Sequence, residues 1–356
     1  MSAGDSAGVA TGVLVVNLGT PDAPDIASVR RYLNEFLMDP YVVTLPWPAR
    51  RLLVSAFILP FRPKRSAQAY ARIWTSEGSP LLLHSLHFTK ALAAATGLPC
   101  ELGMRYGKPS LASAVNRLVN RDVRNIRVLL MYPQHADSTR VTSIEMIKRC
   151  TPIGVTCTFL SPFFDRKGFI ASLAGLIRSA LPESFDHLLL SYHGLPEDHI
   201  RRADPTRSRC LASATCCETP SDAHATCYRH QVRRTSALLG KALDLPEGRM
   251  SVSFQSRLGR QKWLEPYTDQ ILKELPSQGV KNLVVACPAF VADNLETLEE
   301  IGMQGRETFE QAGGETLTLI PCLNSDPEWV TTVARWCLNE DLNSDQTDFA
   351  RSETDA

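Results

Sequence analysis

Seven short apolar runs recur along this chain: GVLVVNLG (12–19), IRVLLMYP (126–133), VTCTFLSP (155–162), HLLLSYHG (187–194), MSVSFQS (250–256), NLVVACPAF (282–290) and TLTLIPCLN (316–324). They are nearly continuous rather than alternating, the pattern of strands buried on both faces in a parallel sheet. Amphipathic stretches with helical spacing lie between them, at 27–37, 85–96, 110–120, 139–149, 167–180, 229–242, 265–276, 295–311 and 327–338. Strand–helix–strand alternation predicts an α/β fold. A break near 170–186 separates the runs into two groups. The expected architecture is two doubly wound, Rossmann-like lobes with parallel sheets and a cleft between them.

The expected boundaries follow from that break. Residues 1–11 read as a flexible tail, 12–175 as the N-terminal lobe and 176–311 as the C-terminal lobe, with a cysteine-bearing insert at 205–230. Residues 312–340 are expected to pack back on the first lobe, and 341–356 to form a disordered acidic tail. Lys plus Arg equals Asp plus Glu at 38 each, so no global basic field is present to grip nucleic acid. No apolar run approaches the ~18 residues that span a bilayer, and no signal-peptide pattern opens the chain. A cytoplasmic location is expected, where structural disulfides are rare. The segment 44–65, TLPWPARRLLVSAFILPFRPKR, mixes Trp, Phe and Leu with Arg50, Arg51, Arg62, Lys64 and Arg65. It fits either a helix packed on the core or peripheral contact with the inner face of an anionic membrane. Monomer and homodimer stay equally open.

Ligands of such sheets bind beyond the carboxyl ends of the strands. There is no GxGxxG and no GxxxxGK[ST] after any strand, which argues against a nucleotide phosphate site. His193 stands at the end of its strand in LLLSYHGLP, and an imidazole can act as a base near neutral pH. Its bland alternative is a histidine satisfied by loop carbonyls. Asp293 and Glu296 have the spacing of a helix capping box. Glu296, Glu299 and Glu300 share one helix face, either a solvated face or a carboxylate path for protons or a divalent metal. Cys210, Cys216, Cys217 and Cys227 crowd into one loop. Their spacing suits structural zinc poorly and an iron–sulfur cluster better, with free thiols or a disulfide as alternatives. The other six cysteines sit in apolar contexts as small hydrophobes.

Taken in order, VNLGTPDAP (16–24), VRRYLNEFLMDP (29–40), PFRPKRSAQAY (60–70), EGSPLL (77–82), MRYGKPS (104–110), SYHGLP (191–196), FQSRLGRQKWLEPYT (254–268) and DNLETLEEI (293–301) resemble the ferrochelatases, which insert Fe2+ into a porphyrin. The resemblance runs from about 12 to about 338. It implies that His193 accepts pyrrole protons or handles the metal, and that Glu296 is its partner across the porphyrin. It implies that Asp293 positions the loop and that Glu300 lies further along a metal or proton path. Leu18, Arg105, Tyr106, Trp263 and Phe290 match porphyrin-wall positions. His135 stands where many members have tyrosine, and Asn294 where many have a second histidine. Leu18 in NLGTP resembles the branch acting on protoporphyrin IX rather than coproporphyrin. Some bacterial members carry a [2Fe–2S] cluster on four cysteines in an insert after the histidine strand, which the resemblance assigns to Cys210, Cys216, Cys217 and Cys227. Rival readings are a cobalt or nickel chelatase, a non-catalytic haem or porphyrin binder, and a cluster-based iron sensor.

Overall fold

A computed structural model describes residues 10–257, 259 and 261–339. Its eight strands are β1 (Thr11–Thr20), β2 (Cys100–Gly107), β3 (Asn125–Leu130), β4 (Thr156–Phe159), β5 (His187–His193), β6 (Met250–Gln255), β7 (Asn282–Ala286) and β8 (Thr316–Leu319). They form two four-stranded sheets, ordered β2-β1-β3-β4 and β6-β5-β7-β8. Every strand pair is parallel. The apolar runs thus become strands because helices cover both faces. Val13 to Val16 and Leu188 to Leu190 are at most 1% exposed, so ligands can meet β1 and β5 only at their ends.

Two elements escape the periodicity reading. The strand β2, CELGMRYG, carries Glu101 and Arg105 and borders the sheet, pairing only with β1. An edge strand need not be apolar throughout. The segment after residue 44 folds as a short helix Trp47–Leu52, a wide-turn π-helix Leu53–Ile58 and a helix Arg62–Ile73.

The expected tail 341–356 lies outside the described residues, as does 1–9, while Thr11 already belongs to β1. The segment 312–340 divides. Its strand β8 stays beside β7 in the second sheet. Its helix Pro327–Leu338 packs against helices Pro80–Thr96 and Lys167–Ala180. Trp329 and Trp336 drive that return, buried among Phe88, Phe163 and Phe169. Losing either indole would cost about 3–5 kcal/mol. The same apolar cluster includes Val13 and Val15 of β1 and Leu188 and Leu190 of β5, so one core runs through both sheets.

Candidate active site

The carboxyl ends of β5, β6 and β7 converge on His193. Its ring is half-buried, and its Nδ1 lies 2.6 Å from the carbonyl oxygen of Gly194. A carbonyl only accepts, so Nδ1 carries the hydrogen and the neutral ring keeps its lone pair on Nε2. Phe290, beyond the end of β7, meets the imidazole edge-on at 6.2 Å between ring centres. On the other side a Cβ at Gly194 would lie 3.2 Å from the Trp263 ring and 2.8 Å from the Gln255 carbonyl. Glycine there lets β5 turn between two neighbours.

The helix after β7 supplies the carboxylates. It opens as a π-helix, Glu296–Gly305, whose i→i+5 bonding widens the turn. Glu300 accepts from the Ser256 backbone N–H at 2.8 Å and from its hydroxyl at 2.5 Å. Ser256 holds a left-handed φ of 67°, and that turn aims both donors at one carboxylate. Burial holds the Glu300 carboxyl above its ordinary range; the Glu296 charge adds to the rise, while Ser256 and His193 oppose it. His193, Glu296 and Glu300 are therefore electrostatic neighbours. Gln255, at the end of β6 and opposite His193 in the register, donates to the Glu296 backbone carbonyl at 3.2 Å and ties that helix start to the strand end.

Two sequence expectations change here. The capping box is formed by Asn294 and Thr297, not by Asp293 and Glu296. The Thr297 N–H donates to Asn294 Oδ1 at 3.0 Å, and the Asn294 N–H to Thr297 Oγ1 at 3.1 Å. The frame shifts by one residue because Asp293 is already engaged elsewhere. Its carboxylate accepts from Asn324 Nδ2 at 2.7 Å, Thr297 Oγ1 at 3.0 Å and the Cys322 N–H at 3.3 Å. Asp293 is 4% exposed and pins the loop to the segment beyond β8. Glu296 is thus relieved of capping. The carboxylate stripe also splits, because Glu299 turns away to pair with Arg72 and accept from Gln304.

The first lobe supplies the facing wall. Leu18, at the end of β1, and Leu295, beside Glu296, pack against one cluster that contains Tyr32, Tyr70 and Tyr106. Gly19 follows Leu18 with φ 113°, and a Cβ there would overlap the Tyr106 carbonyl. Arg62 reaches toward Glu296; burial lowers its pKa, the Glu296 charge opposes that, and its Nη1 has no hydrogen-bond partner. Burial first, and Glu296 after it, keeps the Tyr70 hydroxyl protonated.

The remaining expected wall residues are placed differently. Tyr106 is fully buried, with its hydroxyl 2.9 Å from Asp39, and presents no surface to a ligand. Arg105 is spent on Asp39 and Thr142. Together they form a layer beneath the wall. His135 is half-buried, with Nε2 3.1 Å from Asp137 and its N–H donating to Gln231. Sequence reading passed over Ser256, although the polar end of MSVSFQS was the available signal, and it took Arg62 only as a cation of the 44–65 segment.

The four insert cysteines are buried, and no disulfide joins cysteines among the described residues. The sulfurs of Cys216 and Cys217 are 3.9 Å apart. Cys227 interacts with the thiols of both Cys210 and Cys217, and its hydrogen bond is the largest cause of the raised Cys217 pKa. Among the described residues no three His, Cys, Asp or Glu side chains are disposed to hold one metal ion.

The family model described as ferrochelatase matches residues 10–341. A ferrochelatase of Pseudomonas fluorescens strain Pf0-1 is 51% identical over 330 residues, covering 91% of this chain and 96% of its own. A ferrochelatase of Azotobacter vinelandii is also 51% identical, covering 91% and 97%. Among solved structures, SirB from Bacillus subtilis with Fe3+ superposes with a TM-score of 0.52 at 11% identity, over 92% of this chain and 93% of SirB. That likeness supports the two-sheet fold alone. Identity of about half across nine-tenths of the chain makes this protein a member of the ferrochelatase family and a metal chelatase enzyme.

Proposed function

We propose that the chain inserts Fe2+ into protoporphyrin IX in the cleft between His193 and the Glu296–Glu300 pair. What supports this is His193 at the end of β5, with Nδ1 turned to the Gly194 carbonyl so that Nε2 is left to accept a proton, and the buried Glu300 carboxylate, which feels both His193 and Glu296. A free porphyrin must lose its inner N–H protons as Fe2+ binds the ring nitrogens. His193 accepts a pyrrole proton, and Glu300 keeps a proton at higher pH than an ordinary carboxyl, so the pair can pass charge outward. Phe290, Trp263 and Leu18 supply apolar cover. Arg62 holds a buried, unpartnered donor on the Glu296 side of the cleft. Leu18 in NLGTP resembles the protoporphyrin branch of the family, and that resemblance is the ground for choosing protoporphyrin over coproporphyrin. The test is an anaerobic absorbance time course with protoporphyrin IX and Fe2+. Many turnovers to the haem spectrum are expected. Binding shifts without metallation, or faster metallation of coproporphyrin, would reject the assignment.

The donor set at Cys210, Cys216, Cys217 and Cys227 fits a [2Fe–2S] cluster, which asks for two thiolates at each iron rather than one closed single-ion site. Support comes from the burial of all four thiols and from the Arg229 guanidinium, 3.5 Å from the Cys216 sulfur and 4.0 Å from that of Cys217, ready to offset thiolate charge. Such a cluster supplies a cross-link between loop and helix that can change charge by one electron. Insertion leaves the iron as Fe2+, so no step of it needs that electron. Anaerobically purified protein is expected to hold about two iron and two acid-labile sulfide per chain. Zinc without sulfide would exclude the cluster.

The segment 44–65 supports peripheral membrane contact. Trp47, Leu52, Phe57 and Phe61 are 62–76% exposed, and Arg51, Lys64 and Arg65 flank them at the surface. Arg50 is not among these cations; it is buried and donates to the Val43 and Leu45 carbonyls. Among the described residues no helix is long and apolar enough to cross a membrane. Binding to vesicles containing phosphatidylglycerol is expected to fall about tenfold in Phe57→Ser/Phe61→Ser, as ~1.4 kcal/mol of lost burial implies. Equal binding of wild type and variant would refute the membrane reading.

A further inference from the structure

The helix Tyr228–Leu243 starts at Cys227, and its first turn faces two ways. Toward the cysteines, Arg229 reaches the Cys216 and Cys217 sulfurs, and His230 Nδ1 lies 3.0 Å from the Cys217 carbonyl. His224, stacked on His230 at 3.6 Å between ring centres, places Nε2 3.4 Å from the Cys216 carbonyl. Toward the cleft, the Tyr228 hydroxyl donates to the backbone carbonyl of His193 at 2.8 Å. One turn on, Gln231 is completely buried, accepts from the His135 N–H at 2.6 Å and donates to the His224 and Ala225 carbonyls.

We propose that Tyr228 is a positioning residue for His193, and that through this first turn the state of the cysteine pocket reaches the catalytic cleft. The coupling half rests on the cluster reading above. The physical basis is the shortness of the link. Cys227 is the residue before Tyr228, and Tyr228 is 6% exposed and unable to move independently of the helix. The carbonyl it holds belongs to the residue whose ring hydrogen-bonds the next carbonyl in the chain. A loop that binds its occupant fixes the helix start; a loop that loses it frees Cys227, and the β5 terminus loses its restraint. Because the tie acts on backbone, it sets where Nε2 points without touching substrate.

The test compares wild type with Tyr228→Phe, which deletes only the hydroxyl. Both are purified anaerobically and analysed for iron, acid-labile sulfide and visible absorption. Kinetics with protoporphyrin IX and Fe2+ follow, with isotope-labelled histidine NMR; the His193 signals are those missing from His193→Ala. Cluster content is expected to be unchanged in Tyr228→Phe. Its kcat should fall about 3- to 10-fold, the worth of one hydrogen bond, with the porphyrin KM within about twofold. Its His193 signals should shift. Removing the occupant with a chelator should shift the same signals and lower kcat in wild type, and do neither further in Tyr228→Phe. A merely structural tyrosine would lower the melting temperature and leave the His193 signals in place. Unchanged kcat and unchanged His193 signals overturn the positioning role. A wild type that holds its cluster and loses it without any change in kcat or at His193 overturns the coupling, whether or not Tyr228→Phe folds. A wild type with neither iron nor sulfide overturns the cluster reading and the coupling half with it, and the Tyr228→Phe comparison then decides the positioning half alone.

Discussion

His193→Ala is expected to lower kcat by about a hundredfold or more, the usual worth of a positioned general base. The fold should survive. The ring sits at a strand terminus, is half-buried, and its hydrogen bond runs to the carbonyl of the next residue. The tie from Tyr228 reaches the backbone of His193 and persists in the variant. Melting temperature should therefore stay within a few degrees of wild type, and porphyrin binding should be retained because Phe290, Trp263 and Leu18 remain. Added imidazole should restore part of the rate by occupying the vacated volume. A folded variant within about threefold of wild-type kcat would take proton acceptance away from His193 and transfer it to Glu296 or Glu300.

Asp293→Ala is expected to lower stability and turnover together. The carboxylate is buried and accepts from Asn324, Thr297 and the Cys322 N–H. Deleting it leaves those buried donors unpaired, at about 1–3 kcal/mol each where no water replaces the acceptor. A net loss of roughly 3 kcal/mol or more corresponds to a melting temperature lower by roughly 5–10 °C. Asp293→Asn keeps one acceptor oxygen and should fall between. Turnover should drop in both variants, since Asp293 anchors the loop from which the Glu296 helix starts. An unchanged melting temperature in Asp293→Ala, measured at one scan rate, would show that the three donors find other partners.

Several features of the fold were legible because they are local. Strands buried on two faces leave apolar runs, and those runs located seven of the eight strands. The eighth, β2, borders its sheet and carries charges, so its composition resembled a loop. His193, Glu296 and Glu300 were legible as strand-end and helix-start residues of the right chemical type, and their motifs resemble one family over most of the chain. The crowding of Cys210, Cys216, Cys217 and Cys227 needed only counting.

Tertiary structure decided which partner each group takes. Asp293 matched a capping box by spacing, yet its partner Asn324 lies 31 positions away, and that contact passes the cap to Asn294. Glu299 shares a helical face with Glu296 and Glu300 by periodicity, but Arg72, 227 positions distant, draws it out of the cleft within a wide-turn helix. Arg50 and Arg62 read as solvated cations beside apolar neighbours until packing turned both inward. Tyr228 carried no signal beyond its place after Cys227, and its role depends on a hydroxyl meeting a carbonyl 35 positions back. Periodicity follows from backbone geometry over a few residues, which the sequence encodes directly. A hydrogen bond between distant side chains depends on how whole sheets and helices pack, and no local pattern records it.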